Sequence, residues 1–141
     1  MSIHGCVISG PSRAVLILGA AGSGKSSLSL HLLARGAQLV ADDRVVLDAQ
    51  QGRLMASAPS SLHGLIELRG IGIGQVTPAA PAALSLVVDL DVVPLERQPQ
   101  PLMWQHSGIT LRRIAGQGVA LLPSFLELWL RNQIDLIDDM G

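Results

Sequence analysis

The run Gly19-Ala20-Ala21-Gly22-Ser23-Gly24-Lys25-Ser26, residues 19–26, sets the architecture expected of this chain. It fits the pattern G-x-x-x-x-G-K-[ST] and stands between an apolar stretch, Ala14 to Leu18, and a helical pattern, Lys25 to Arg35. Strand, glycine-rich turn and helix in that order form a phosphate cradle. Its backbone N–H groups must turn inward around phosphate oxygens, which requires residues without a clashing Cβ. The helix N-terminus adds the positive end of its dipole. Lys25 then reaches the β- and γ-phosphates, and the Ser26 hydroxyl reaches Mg²⁺. Lys25 is also the only lysine in the chain, against nine arginines. The expected fold class is therefore α/β: a P-loop-containing mixed β-sheet with flanking helices, binding nucleotide through Gly19, Ala20, Ala21, Gly22, Ser23, Gly24, Lys25 and Ser26.

On the N-terminal side, His4 to Ser9 and Ala14 to Leu18 are apolar runs broken by Gly10-Pro11-Ser12, which predicts a hairpin. On the C-terminal side, Gly36 stops the helix, and Gln38 to Ala41 reads as a strand. Val45 to Leu47, Leu54 to Met55, Leu65 to Leu68, Leu84 to Leu90 and Ile109 to Ile114 read as further strands. Gly70 to Val76 is glycine-rich and reads as a shaped loop, and Pro94 to Pro101 as an exposed one. Pro123 to about Asp138 reads as a closing helix, with Phe125, Leu128, Trp129, Asn132 and Leu136 near one face.

A chain of 141 residues predicts one domain, residues 1–141. Hydrophobic residues make up 48% and charged residues 15%, which excludes intrinsic disorder. A net charge of −1 with no basic stretch argues against nucleic acid as a partner. The longest uncharged stretch, Gly70 to Val88, is broken by glycines and by Pro78 and Pro81, so no membrane span is expected. The single cysteine, Cys6, cannot form an internal disulfide and reads as inert core packing. With no signal-peptide pattern in MSIHGC, the expected location is cytoplasmic.

Asp42 and Asp43 end the strand Leu39-Val40-Ala41. In a parallel αβ unit the C-terminal end of the next strand lies beside the phosphate loop. Two adjacent carboxylates there repel unless a cation intervenes. Asp43 can share Mg²⁺ with the phosphates, leaving Asp42 to take a hydroxyl proton. Spacing alone is equally satisfied by a solvated Asp-Asp turn. In Glu67-Leu68-Arg69-Gly70-Ile71-Gly72-Ile73, alternation puts Glu67 and Arg69 on one face. They are either a surface ion pair or a second metal-side carboxylate with a phosphate-contacting arginine.

Taken together, His4-Gly5, the GKS loop, Val40-Ala41-Asp42-Asp43-Arg44-Val45 and the Glu67 to Ile73 run resemble the catalytic domain of bacterial HPr kinase/phosphorylase. Order and spacing agree over nearly the whole chain. The resemblance implies an ATP- and Mg²⁺-dependent serine kinase acting on the phosphocarrier protein HPr, with a reverse phosphorolysis that releases pyrophosphate. It further implies a nucleotide site of the phosphoenolpyruvate-carboxykinase type and a homo-oligomer, commonly a hexamer. By the same resemblance Asp42 looks like the general base, and His4 like the partner that tunes it. Ser26, Asp43 and Glu67 look like the metal ligands, Arg69 like the signature-loop arginine, and Arg97 like the mobile arginine that closes over the phosphates. His31, His63 and His106 have no such support and read as structural.

The chain resembles the short, catalytic-domain-only α-proteobacterial form. Two positions depart from the family's pattern. Ala21 stands where the loop usually has Ser, which removes a hydroxyl donor for inorganic phosphate and predicts kinase activity above phosphorylase activity. Ser27 stands where Glu is often found. Two rival readings remain at this level: a small-molecule P-loop kinase, and a non-catalytic nucleotide-binding regulator.

Overall fold

The computed structural model describes residues 2–137. Its centre is a mixed six-stranded sheet built on β2 (Cys6–Ser9) and β3 (Ala14–Leu18). With these run β4 (Gln38–Ala41), β10 (Leu86–Asp89), β11 (Leu102–His106) and β12 (Ile109–Ala115), in the order β11-β12-β10-β3-β2-β4. The inner strands are apolar on both faces, as a sheet covered on both sides requires. Cys6, Ile8, Val15, Ile17, Leu86 and Val88 face two helices, α1 (Lys25–Ala34) and α2 (Leu122–Leu130). Val7, Leu16 and Val87 face a second sheet. That sheet has the order β1 (Ser2–His4), β5 (Arg44–Gln50), β6 (Arg53–Ser57) and β9 (Ala82–Ala83). The result is three layers, helices over sheet over sheet, with a core on each side of the middle one.

The predicted hairpin is the antiparallel β2–β3 pair, but it begins later than the run His4 to Ser9 suggested. The chain changes sheets at Gly5: His4 pairs with Arg44 in one sheet and Cys6 with Ile17 in the other. A Cβ at Gly5 would sit 3.0 Å from Leu16 Cδ1 and 3.1 Å from the Ile17 oxygen, so the crossover has little room for a side chain.

Four strands share one direction. β10 is parallel to both β3 and β12, and β2 runs antiparallel between β3 and β4. The strand after the glycine-rich loop is therefore not β3's neighbour, as a simple parallel αβ unit would have it; β2 is inserted between them. The outcome for the site is the same. The C-terminal ends of β3, β4, β10 and β12 all emerge at one edge of the sheet, where open α/β sheets bind ligands.

Two further expectations change. Gly72–Gln75 is not loop but strand β8, paired antiparallel with β7 (Leu65–Leu68) as a separate two-stranded hairpin. Gly74 lets the pair close, because a Cβ there would already meet Leu68 and Ile66 at 3.2 and 3.3 Å. The closing helix α2 stops at Leu130, well short of Asp138, which lies outside the described residues. Asn132 takes the left-handed conformation (φ 60°). The N–H groups of Asn132 and Gln133 bond back to the Trp129 and Leu128 oxygens, a Schellman closure. Leu122, Leu126, Trp129 and Leu130 form the buried face, while Leu128 and Asn132 point outward. Trp129 is core. Among the described residues no helix is long and apolar enough to cross a membrane.

Candidate active site

Gly19 to Gly24 connects the C-terminal end of β3 to α1, whose first residue is Lys25. Gly19, Gly22 and Gly24 adopt φ of 157°, 84° and 102°, which Cβ-bearing residues resist; this is why glycine stands at these turns. The Ala20 N–H donates to both carboxylate oxygens of Asp91, at 3.1 and 2.9 Å. Asp91 follows β10, the parallel neighbour of β3. Lys25 Nζ folds back onto the Gly19 oxygen at 2.5 Å and the Ala20 oxygen at 3.3 Å.

A cleft of about 720 Å³ opens in front of this loop. His4, Lys25, Ser26, Asp42, Asp43, Glu67 and Arg69 all line it, so residues from β1, α1, the end of β4 and the β7–β8 hairpin converge. Arg69 Nη1 reaches over the loop, 3.7 Å from the place a Cβ on Gly22 would occupy. Arg97 is exposed within the irregular stretch after β10 and is not among the residues lining the cleft. The Ser23 hydroxyl is buried without a hydrogen bond, and Ser23 too is absent from the lining.

The two aspartates have separate environments. Asp43 takes a positive φ of 68°, which turns its carboxylate outward, 67% exposed. Its Oδ1 lies 3.9 Å from His4 Nδ1, so His4 stands against Asp43 rather than Asp42. Asp42 is only 8% exposed. Its Oδ2 accepts the Glu67 N–H at 3.0 Å, and its Oδ1 accepts the Cys6 thiol at 3.2 Å. The backbone oxygen of Asp43 takes the Gly5 N–H, tying the aspartate turn to the sheet crossover.

Cys6 and Asp91 are the two contributors that sequence reasoning missed. Cys6 is core, as expected, but it is not inert packing: it is one of two groups holding Asp42. Burial pushes its thiol up to about 12, with the Asp42 charge adding to the rise and a backbone bond from Asp43 opposing it. The sulfur therefore acts as a protonated donor, not as a nucleophile.

The first 92 residues match the family model described as HPr serine kinase C-terminal domain. The chain belongs to that family. Among its relatives, the HPr kinase/phosphorylase of Brevibacillus brevis is 38% identical over 111 residues, covering 77% of this chain and 36% of that protein. The HPr kinase/phosphorylase of Lactobacillus acidophilus is 45% identical over 73 residues, covering 51% of this chain and 23% of that protein. The matched stretch is thus about a third or less of the length of these relatives. The solved structure of the Hpr(Ser) kinase/phosphatase from Coxiella burnetii superposes with a TM-score of 0.80 at 29% identity, covering 100% of this chain and 99% of that one. The mixed α/β fold with several sheets is therefore the family's own.

Among the described residues no three His, Cys, Asp or Glu side chains cluster to hold a metal by themselves. A magnesium site does not need such a cage, since Mg²⁺ is usually held by one or two carboxylates together with phosphate oxygens and water. The exposed Asp43 carboxylate, with Glu67 and Ser26 lining the same cleft, offers that all-oxygen donor set.

Proposed function

We propose that the chain transfers the γ-phosphoryl group of ATP to a serine hydroxyl of an HPr-type phosphocarrier protein. The observation that carries this reading is the convergence of Lys25, Asp42 and Asp43 on one cleft, with Asp42 held by two donors. Gly19 to Ser26 acts as a P-loop and cradles the phosphates through its backbone N–H groups. Lys25 leaves its loop carbonyls for the β- and γ-phosphates, and Arg69 meets them from the hairpin. Arg97 closes from its loop over the same group. Asp42 accepts the serine hydroxyl hydrogen as the serine oxygen bonds to the γ-phosphorus and the bond to the β-phosphate oxygen breaks, releasing ADP. Ser26, Asp43 and Glu67 would hold Mg²⁺, which offsets the charge on the phosphates when bound. His4 orients Asp43 and acts on Asp42 only through it.

By family resemblance the setting is cytoplasmic, the assembly a homo-hexamer, and the described residues one catalytic unit of the short form. Reverse phosphorolysis is the weaker direction, because Ala21 lacks a hydroxyl.

The test is label transfer from γ-labelled ATP to HPr and to an HPr whose acceptor serine is replaced by alanine. Label on the first alone supports the proposal. Asp42→Asn should lower transfer by about 10²–10⁴-fold while nucleotide binding persists. Lys25→Met should weaken both. Label on a small metabolite, or none on HPr, would overturn the assignment.

A further inference from the structure

Where β3, β10 and β12 end, a short series of polar contacts leads to the glycine-rich loop. Asp89 is the last residue of β10, in register with Leu18 of β3 on one side and Ala115 of β12 on the other. Val87, two residues earlier, packs in the core between the two sheets, so alternation puts Asp89 on that face, opposite the helices. Arg113 stands across from Val87 on β12, one diagonal step from Asp89, and its Nη1 comes to 3.8 Å from Asp89 Oδ2. The other carboxylate oxygen, Oδ1, accepts the Asp91 N–H at 3.0 Å. Asp91 in turn accepts the Ala20 N–H with both oxygens. The contacts thus run from Arg113 to Asp89, to Asp91, to the first turn of the loop.

None of Asp89, Asp91 and Arg113 lines the catalytic cleft, so none is placed to touch a ligand there. Nor does stability account for the pair. The Asp89 side chain is 16% exposed and that of Arg113 31%, and the Arg113 Nε is buried with no hydrogen-bond partner among the described residues. Charges withdrawn from water and held at this distance recover little of the solvation they lose. The arginine acts on its neighbours through its charge. The Asp89 and Asp91 carboxylates sit two residues apart and would push each other aside. The guanidinium offsets the first and lets the second stay on Ala20. The Ala20 N–H and the Gly19 C=O belong to one peptide unit, whose oxygen is held by Lys25 Nζ. Once Lys25 turns to a phosphate, Asp91 is the side chain left to aim this peptide.

We propose that Arg113 and Asp89 are positioning residues for nucleotide binding: they hold Asp91 in place, and through it the Gly19–Ala20 peptide. The proposal rests on the reading of Gly19 to Ser26 as a phosphate cradle. It extends the site to a strand, β12, that contributes no residue to the cleft.

Calorimetric titration with Mg·ATP over a double-mutant cycle tests it. Arg113→Ala should weaken binding several-fold, and Arg113→Lys, which keeps the charge, should restore most of it. Arg113→Gln keeps much of the stem without the charge and takes the place of Arg113→Ala if that chain does not fold. The deciding variant joins Arg113→Ala to Asp91→Ala. With the anchor already gone, losing the arginine should change affinity by less than about twofold. In label transfer the loss should appear in KM for ATP, with kcat held within about twofold. A merely structural arginine would give losses that add to those of Asp91→Ala, and additive losses would overturn the proposal. So would unchanged affinity in Arg113→Ala. A wild-type chain that binds no Mg·ATP would overturn the cradle and this proposal with it.

Discussion

The Cys6 thiol and the Asp42 carboxylate meet at 3.2 Å across 36 residues of sequence, joining the first strand of the central sheet to the turn that carries the proposed base. A thiol is a weak donor, but here its acceptor is ionisable and mostly buried, where an unmade bond is costly. Cys6→Ala should therefore lower phosphoryl transfer several-fold with KM for ATP unchanged, and Cys6→Ser, which keeps a donor, should restore most of it. The thiol also has an alkaline signature. It ionises near 9.0 when free and near 12 when folded, so between those values unfolding releases a proton that the folded chain retains. Its stabilising contribution is complete below pH 9 and is lost progressively as the pH rises from there toward 12. Thermal melts from pH 8 to 11 should show a steeper decline for the wild-type chain than for Cys6→Ala. Parallel curves would mean that burial does not raise the thiol in the folded chain.

Asp91 anchors the other end of the site. Both its oxygens accept the Ala20 N–H, so the first turn of the phosphate loop hangs from the end of β10. Hydrogen bonds to a charged group contribute about 1.5–3 kcal/mol, and the exposure of Asp91 puts this one at the low end. Asp91→Ala should weaken nucleotide binding about tenfold, with Asp91→Asn between it and wild type, and lower the melting temperature by a few degrees. Unaltered nucleotide affinity in a folded Asp91→Ala protein would show that the loop holds its shape without the anchor.

Sequence patterns revealed what local chemistry dictates. The ends of β4 are marked by Gly36 and by the aspartate pair, and α1 by the loop before it and Gly36 after it. Both elements were read to within a residue. Strand β8 was hidden because glycines at 72 and 74 suppress any strand pattern, and only pairing with β7 makes them extended. Strand β11 was missed because an apolar Met103 stands on its exposed face and a polar His106 on its half-buried one, which blurs the alternation in the sequence; its partner β12 and the turn at Ser107 and Gly108, two residues at positive φ, define it. The early end of α2 depends on a left-handed Asn132 whose side chain bonds Ser12, a contact 120 residues away. In the site, the motif residues were legible and their supports were not. Nothing local links residue 91 to the loop or residue 6 to residue 42; the parallel β3–β10 pairing and the sheet crossover at Gly5 do.

The opposite end of β2 holds a packing constraint. Gly10 opens the turn after β2 and lies directly against the last turn of α2, where a Cβ would overlap the Leu130 carbonyl oxygen and stand 2.9 Å from its carbon. The obstacle is backbone, so no rotamer change relieves it. Gly10→Ala should cost about 1–3 kcal/mol, lowering the melting temperature by roughly 3–10 °C. A variant as stable as wild type would mean that α2 shifts freely on the sheet.

Ala21 tests the direction of the reaction. It is exposed and lines the cleft beside Gly22, which lies under Arg69, so a hydroxyl added at residue 21 would face the space where an incoming phosphate must sit. Forward transfer has no such requirement, because the γ-phosphate arrives already attached to the nucleotide and is held by backbone donors. Ala21→Ser should therefore raise phosphate-dependent dephosphorylation of phosphoserine-HPr several-fold while forward kinase activity stays within about twofold. The effect should appear chiefly as a lower KM for inorganic phosphate, since one added hydrogen bond of about 0.5–1.5 kcal/mol acts on binding. Equal changes in both directions would mean that residue 21 shapes the loop as a whole, and a silent substitution would mean that the reverse reaction is limited elsewhere in the cleft.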